Sequence, residues 1–335
     1  MISRFVKDTV LSGVCSQLPH SFIVWLRDVN PVSAYYHIVS DIQVPHVKHL
    51  YKYRDVASFE RDLDAFSRRF NFVSAGEVLC AIRQHRPLPG NSLLLTFDDG
   101  FSEMYNVVLP ILLRKGIPAT FFLISGSLDN GALPLHNKMS VLLEHLSTAF
   151  GTLEESALVA LLARHGVPAP DFRSGLFSIT YPRRHIVDEV AKHIGCDFDC
   201  YLARQKPFLT SEQVRAMIKH GFSFGGHSVD HPMYSLIELR EQVRQTCESV
   251  AFVRERFGLD YGVFAFPHGD DKVSPEYFRA VADTGKLDVS FGTRGMVKEG
   301  PVGHLQRFSM ENTLERVDRI LGWYYARALF KRTAA

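Results

Sequence analysis

The chain has 335 residues, 46% of them apolar, so it can bury a sizeable core and is not a disordered protein. Its 38 Lys and Arg against 36 Asp and Glu leave a formal charge of +2, which argues against a nucleic-acid or other polyanion binder. Five cysteines are too few for a disulfide framework in a chain this long, whereas 15 histidines offer metal ligands and acid–base groups.

The first residues, Met-Ile-Ser-Arg-Phe-Val-Lys-Asp, lack the basic start and the unbroken apolar stretch of about 7–15 residues that define a signal peptide, so a cytoplasmic chain is expected. Phe5, Val6, Val10, Leu11, Val14 and Leu18 recur at helical spacing beside Arg4 and Lys7. Residues 1–30 are therefore expected to form a helical arm. Residues 1–27 of it could dock on the protein's own core or make a peripheral membrane contact.

Beyond the arm, short apolar strands alternate with amphipathic helices. Strands are expected at Ala34–Val39, Leu93–Phe97, Thr120–Ile124, Phe222–Gly225, Val263–Phe266, Val289–Phe291 and Leu305–Phe308. Helices are expected at Ser58–Arg69, Ala75–Arg83, Met104–Lys115, Ser211–His220, Leu236–Phe257, Pro275–Asp283 and Leu314–Phe330, with Ser58 and Ser211 as N-caps. This alternation predicts an α/β fold, a parallel sheet or barrel. Residues 128–208 break the rhythm. They carry helical pattern at Met139–Phe150, Glu154–His165 and Arg184–Ile194 and little strand signal, and read as a helical insertion at the rim between two parts of one domain, 31–127 and 209–335. Cys196 and Cys200, near His193, read as two ordinary thiols, since no second ligand pair follows at zinc spacing.

Three segments carry chemistry. In Leu93-Leu94-Leu95-Thr96-Phe97-Asp98-Asp99-Gly100 an apolar strand runs into two carboxylates and a glycine. Adjacent strand residues point to opposite sides, so one Asp can bind a cation while the other handles protons; a plain Asp-Gly turn is the competing reading. In Gly225-Gly226-His227-Ser228-Val229-Asp230-His231-Pro232 two histidines four apart can converge on one metal. Asp99, His227 and His231 together make a two-His, one-carboxylate set for Zn²⁺ or a harder divalent ion. In Phe264-Ala265-Phe266-Pro267-His268-Gly269 a strand ends in a sharp turn, where a backbone N–H could face an oxyanion.

In this order, Thr96–Gly100, His227–His231 and Phe264–Gly269 resemble the motifs of the polysaccharide deacetylase family (carbohydrate esterase family 4, the NodB homology domain), in its subgroup with a Phe-Ala-Tyr-Pro-like third motif. The likeness covers residues 33–127 and 209–310. Ala34-Tyr35-Tyr36-His37 also looks like the Tyr-His strand that opens many members. The resemblance implies a distorted (β/α) barrel of about seven strands. It implies Asp98 as general base, Asp99, His227 and His231 as ligands of a metal, zinc foremost, and the backbone N–H of His268 at the oxyanion. Where many members place an arginine before the third-motif Pro, this chain has Ala265. Arg307 either replaces that arginine beside Asp98 or pairs with a surface carboxylate. A clear late Leu-x-His motif is missing, and His37, His268 and His304 compete as general acid. His304 and Arg307 would not share a face of one strand. His136-Asn137-Lys138 sits where the chain would leave the rim, either as a helix start or as a substrate contact. The implied activity is hydrolysis of the N-acetyl group of an amino sugar or glycan precursor, in cell-surface polysaccharide or glycolipid biosynthesis. Deformylation, O-acetyl ester hydrolysis, or a glycan-binding relative without turnover are the alternatives.

Overall fold

The computed structural model describes residues 29–148, 154–298, 300–311, 313 and 315–330. The expected N-terminal arm, its membrane or core contact included, falls outside the described residues but for its last two positions. Among the described residues eight parallel strands are present: β1 (Val32–Tyr36), β2 (Asn71–Val73), β3 (Ser92–Phe97), β4 (Thr120–Leu123), β5 (Ser223–Gly226), β6 (Val263–Ala265), β7 (Val289–Gly292) and β8 (His304–Ser309). Their order is β1-β8-β7-β6-β5-β4-β3-β2, and β1 also pairs with β3, which closes a seven-stranded ring. The fold is thus an α/β (β/α) barrel with one extra strand. β1 takes one edge of β3 over Leu93–Phe97, so β2 beside Ser92–Leu94 and β4 beside Thr96–Phe97 share the other.

The inside–outside pattern follows from the period of two along a strand. In β3, Leu93, Leu95 and Phe97 pack outward against Phe59, Leu63 and Phe66 of the helix Val56–Ser67. Leu94 packs in a separate core with Phe122, Val263, Ala265, Val289 and Phe291 from β4, β6 and β7. Thr96 and Asp98 follow Leu94 to that inner side. A strand buried on both faces reads as a continuous apolar run, which is why Leu93-Leu94-Leu95 shows no alternation.

Two helix starts differ from expectation. The cap of Val56–Ser67 is Asp55, whose carboxylate accepts from Ser58 N at 2.6 Å, so Ser58 lies inside the first turn. Thr210 caps Ser211–Lys219 through a reciprocal pair with Gln213. Ser211 is unavailable because its hydroxyl donates to Asp129 Oδ2 at 2.6 Å.

Within 128–208 the described residues form helices and no strand beyond a single bridge of Phe208 to Phe101: the helices are Leu135–Thr148, Glu155–Arg164, Phe172–Phe177, His185–Ile194 and Phe198–Gln205, with short 3-10 turns. Met139, Leu142, Leu162, Leu176, Val187 and Val190 make a core of their own, which meets the barrel at Ile38, Val47 and Phe101. Cys196 is buried in this core and, like Cys200, unpaired. Among the described residues no helix is long and apolar enough to cross a membrane.

Candidate active site

The chemistry-bearing residues sit at or just past the C-terminal ends of strands. β3 runs into Asp98 and Asp99, and the chain turns at once because Asp99 and Gly100 are both left-handed, with φ of 70° and 74°. Gly100 is required there, since a Cβ would stand 2.8 Å from Leu123 Cδ2. Asp98 N donates to Tyr36 O at 2.9 Å, which ties the turn to the end of β1. Both carboxylates are buried.

β5 delivers His227, and the loop after it returns His231 to the same point. Ser228 and His231 are left-handed, with φ of 65° and 62°, an uncommon backbone for residues with side chains. Ser228 Oγ accepts from His231 N at 2.9 Å and fixes the turn. His227 Nδ1 lies 2.8 Å from Ala265 O, so its ring proton is committed there and Nε2 is left with a lone pair. Burial holds the His231 imidazole below its ordinary pKa and therefore neutral.

Asp99, His227 and His231 each place one ligand atom within 4.8 Å of the others. Asp99 Oδ1 is 3.3 Å from both imidazole Nε2 atoms, which are 3.2 Å from each other. Despite that approach, Asp99 Oδ1 is buried without a hydrogen bond. A buried anionic oxygen facing two ring nitrogens, with no donor aimed at it, is the environment that a divalent cation relieves. The donor set therefore fits a metal ion. Among the described residues it is the one such cluster.

Asp98 faces the other way. Arg307 of β8, fully buried, forms a bidentate pair with it: Nη1 to Oδ1 at 2.7 Å and Nη2 to Oδ2 at 2.8 Å. Nη1 also donates to Thr96 Oγ1 at 3.0 Å and Nε to Gly292 O at 3.3 Å, while the guanidinium lies over the rings of Tyr35 and Phe122. Burial would raise the Asp98 carboxyl, but the Arg307 charge outweighs it and holds the group below the usual carboxylate range. The guanidinium enters from β8, and the Ala265 position supplies only its carbonyl, to His227.

The three histidines that compete as general acid lie in different settings. His37, one residue past β1, has Nδ1 2.5 Å from Oε2 of buried Glu311. Glu311 also accepts from the backbone N–H of His37 and of Ile38. Burial opposes a charge on the imidazole, but the Glu311 carboxylate overrides it and lifts the pKa to about 9. His268 is exposed at the rim in a left-handed turn with φ of 58°, its ring 4.5 Å from that of His231. His304 is buried away from Asp98, with Nδ1 2.7 Å from Ser290 Oγ and Nε2 3.2 Å from Asp270 Oδ2. The alternation of β8 puts it on the side opposite Arg307.

A cavity of about 360 Å³ brings together Asp98, Asp99, His227, His231, His37 and His268. His136, Asn137 and Phe177 from the helical segment wall it, as does Tyr51, whose hydroxyl is 3.5 Å from Asp99 Oδ2. Lys138 points elsewhere and pairs with Asp188 at 2.6 Å. Arg307 and His304 do not line this cavity. Two members of the site escape sequence reasoning. Glu311 stands in Ser309-Met310-Glu311 and Tyr51 in Tyr51-Lys52-Tyr53, with no spacing that relates either to the motifs.

A barrel with a buried, arginine-paired carboxylate beside a two-His, one-carboxylate triad is the arrangement of a hydrolase of the carbohydrate deacetylase class. The chain matches the family model for polysaccharide deacetylase over residues 85–147 and 152–286, more than half its length, and it belongs to that family. Solved structures of the same fold include IcaB from Ammonifex degensii (TM-score 0.55, 18% identity, covering 88% of this chain and 96% of that one). The deacetylase PplD of Streptococcus pyogenes, solved in complex with acetate, follows (TM-score 0.52, 16% identity, 84% and 92%). So does a polysaccharide deacetylase from Bacillus cereus (TM-score 0.52, 13% identity, 88% and 68%). No curated protein matches the sequence.

Proposed function

We propose that this protein is a metal-dependent de-N-acetylase that removes the acetyl group from an amino sugar of a cell-surface polysaccharide or glycolipid, or of its cytoplasmic precursor. The observation that carries the reading is the pairing, in one cavity, of an ionised Asp98 with the adjacent Asp99–His227–His231 cluster. Asp99, His227 and His231 would hold the cation, zinc foremost; when bound, it supplies Lewis acidity that lowers the pKa of water and polarises the acetyl carbonyl. Asp98 takes a proton from the attacking water. Its oxygens keep lone pairs to spare after accepting from Arg307, and Arg307 fixes their orientation. The backbone N–H of His268 faces the developing oxyanion. His37, held charged by Glu311, gives the proton that lets the amine leave; this assignment prefers it over His268 and His304, which have no carboxylate of that kind within the cavity. The amide C–N bond breaks, acetate takes the hydroxyl, and the free amine remains. Residues 128–208 act as a rim insertion that narrows the cavity around the sugar.

The test is acetate release from N-acetylated amino sugars by purified protein loaded with Zn²⁺, with formate release and O-acetyl esters assayed in parallel. Acetate should appear from the amide and stop on chelation. Formate release alone, ester cleavage alone, or turnover that survives complete metal removal would reject the reading. A second test concerns the acid. Because His37 must be protonated, kcat/KM should fall as pH rises through about 9. Glu311→Gln removes the charge that raises the imidazole pKa, so the alkaline limb should move down toward the ordinary histidine range near ~6.5. A pH–rate profile with the same alkaline limb in that variant would take His37 out of the mechanism.

A further inference from the structure

The loop that carries His231 is held by a hydrogen-bond network whose outermost member comes from the helical segment between β4 and β5. Tyr181 begins the 3-10 turn Tyr181–Arg183 and is buried. Its hydroxyl lies 2.5 Å from Oδ2 of Asp230, the residue immediately before His231. The other carboxylate oxygen, Oδ1, accepts from Gln245 Nε2 at 2.6 Å, and Gln245 Oε1 accepts from Val229 N at 2.8 Å. Gln245 is fully buried on the helix Leu239–Phe257. From below, Gly126 N donates to Val229 O at 2.8 Å, and a Cβ on Gly126 would come within 2.7 Å of that oxygen. The Arg184 guanidinium covers the Tyr181 ring at 4.1 Å and donates to Tyr181 O at 3.0 Å, which pins the tyrosine from its own side.

This network answers a specific need. Ser228 and His231 both hold left-handed backbone, a conformation that persists only where surrounding contacts over-determine it. We infer that Tyr181 is a positioning residue for the metal: through Asp230 it fixes the backbone that aims His231 at Asp99 and His227. The inference rests on the metal reading of that triad. It also assigns the helical segment a second task beside walling the cavity, since one of its side chains tunes metal affinity without touching the metal.

The experiment uses the full chain, stripped of metal and titrated with Zn²⁺ against a chromogenic chelator; Co²⁺ absorption reports the ligand geometry. Affinities are compared for wild type, Tyr181→Phe, Asp230→Asn, the double variant and His231→Ala, all below the melting temperature of the least stable apoprotein. Outer partners of metal ligands typically contribute about 10–100-fold in affinity, so Tyr181→Phe and Asp230→Asn should each weaken binding in that range. Residues acting through one network are not additive, so the double variant should bind no more weakly than the worse single one. The Co²⁺ spectrum should change in Tyr181→Phe. Lys138→Met, which alters the same segment at its exposed pair with Asp188, should bind as wild type does. Wild-type affinity and spectrum in Tyr181→Phe, or additive losses in the double variant, would overturn the inference while leaving the triad intact. If wild type binds no divalent metal, or His231→Ala binds as tightly as wild type, the metal reading itself fails.

Discussion

Asp98→Asn should abolish acetate release while the protein still binds its metal. Asparagine keeps the shape of the carboxylate but cannot take a proton from water, and loss of a general base typically costs about 10²–10⁴-fold in rate. Asp98 is not in the metal cluster, so metal affinity measures whether the neighbouring Asp99, His227 and His231 still converge. The substitution also leaves the Arg307 charge buried without its counter-ion, so thermal stability should fall. Activity loss and unfolding are separated by assaying well below the melting temperature. Turnover near the wild-type level in a folded, metal-loaded variant would reject Asp98 as the base.

Arg307→Met is expected to have the largest effect on stability. The guanidinium is fully buried and makes four hydrogen bonds, two of them to Asp98. Removing one partner of a buried pair strands the other, at a cost of about 3–5 kcal/mol. Asp98→Asn combined with Arg307→Met removes both charges and should recover much of that loss without recovering activity. Arg307→Lys keeps a charge but not the planar fork, so it should fall between wild type and Arg307→Met in both stability and rate. The measurement is chemical or thermal unfolding of the four proteins. An Arg307→Met variant as stable as wild type would mean that the pair does not carry the barrel interior as the geometry indicates.

Much of this architecture is legible in the sequence. Seven short apolar runs became the seven strands of the ring, because each is bounded by turn residues and buried on both faces. β2 was not legible: Asn71-Phe72-Val73 is too short for a period, and it becomes a strand only by pairing with Ser92–Leu94 of β3, below the stretch that β4 takes. Parity along β8 correctly set His304 and Arg307 on opposite sides, a purely local inference. What lay opposite them was not local. Arg307 could have met a surface carboxylate, and only the closure of the ring against β3 brings Asp98 to it. Glu311 and Tyr181 were invisible for the same reason: each owes its place to a partner supplied by a distant element, His37 in one case and Asp230 in the other. The N-caps fall at Asp55 and Thr210 and not at the expected serines: Asp55 lies one turn earlier and captures the Ser58 N–H, and Ser211 gives its hydroxyl to the distant Asp129.

The seam between β1 and its two neighbours has a consequence for how the chain becomes an enzyme. The contact of His37 with Glu311 spans 274 positions and that of Arg307 with Asp98 spans 209. During synthesis from the N-terminus, β3 and β5, with Asp98, Asp99, His227 and His231 at or just past their ends, emerge well before β8. Contacts this far apart in the chain form late, since the loop entropy they must overcome is not repaid until the ring shuts. The nascent protein can therefore bring Asp99, His227 and His231 together first, while the contacts that fix Asp98 through Arg307 and His37 through Glu311 arrive together with the last strand.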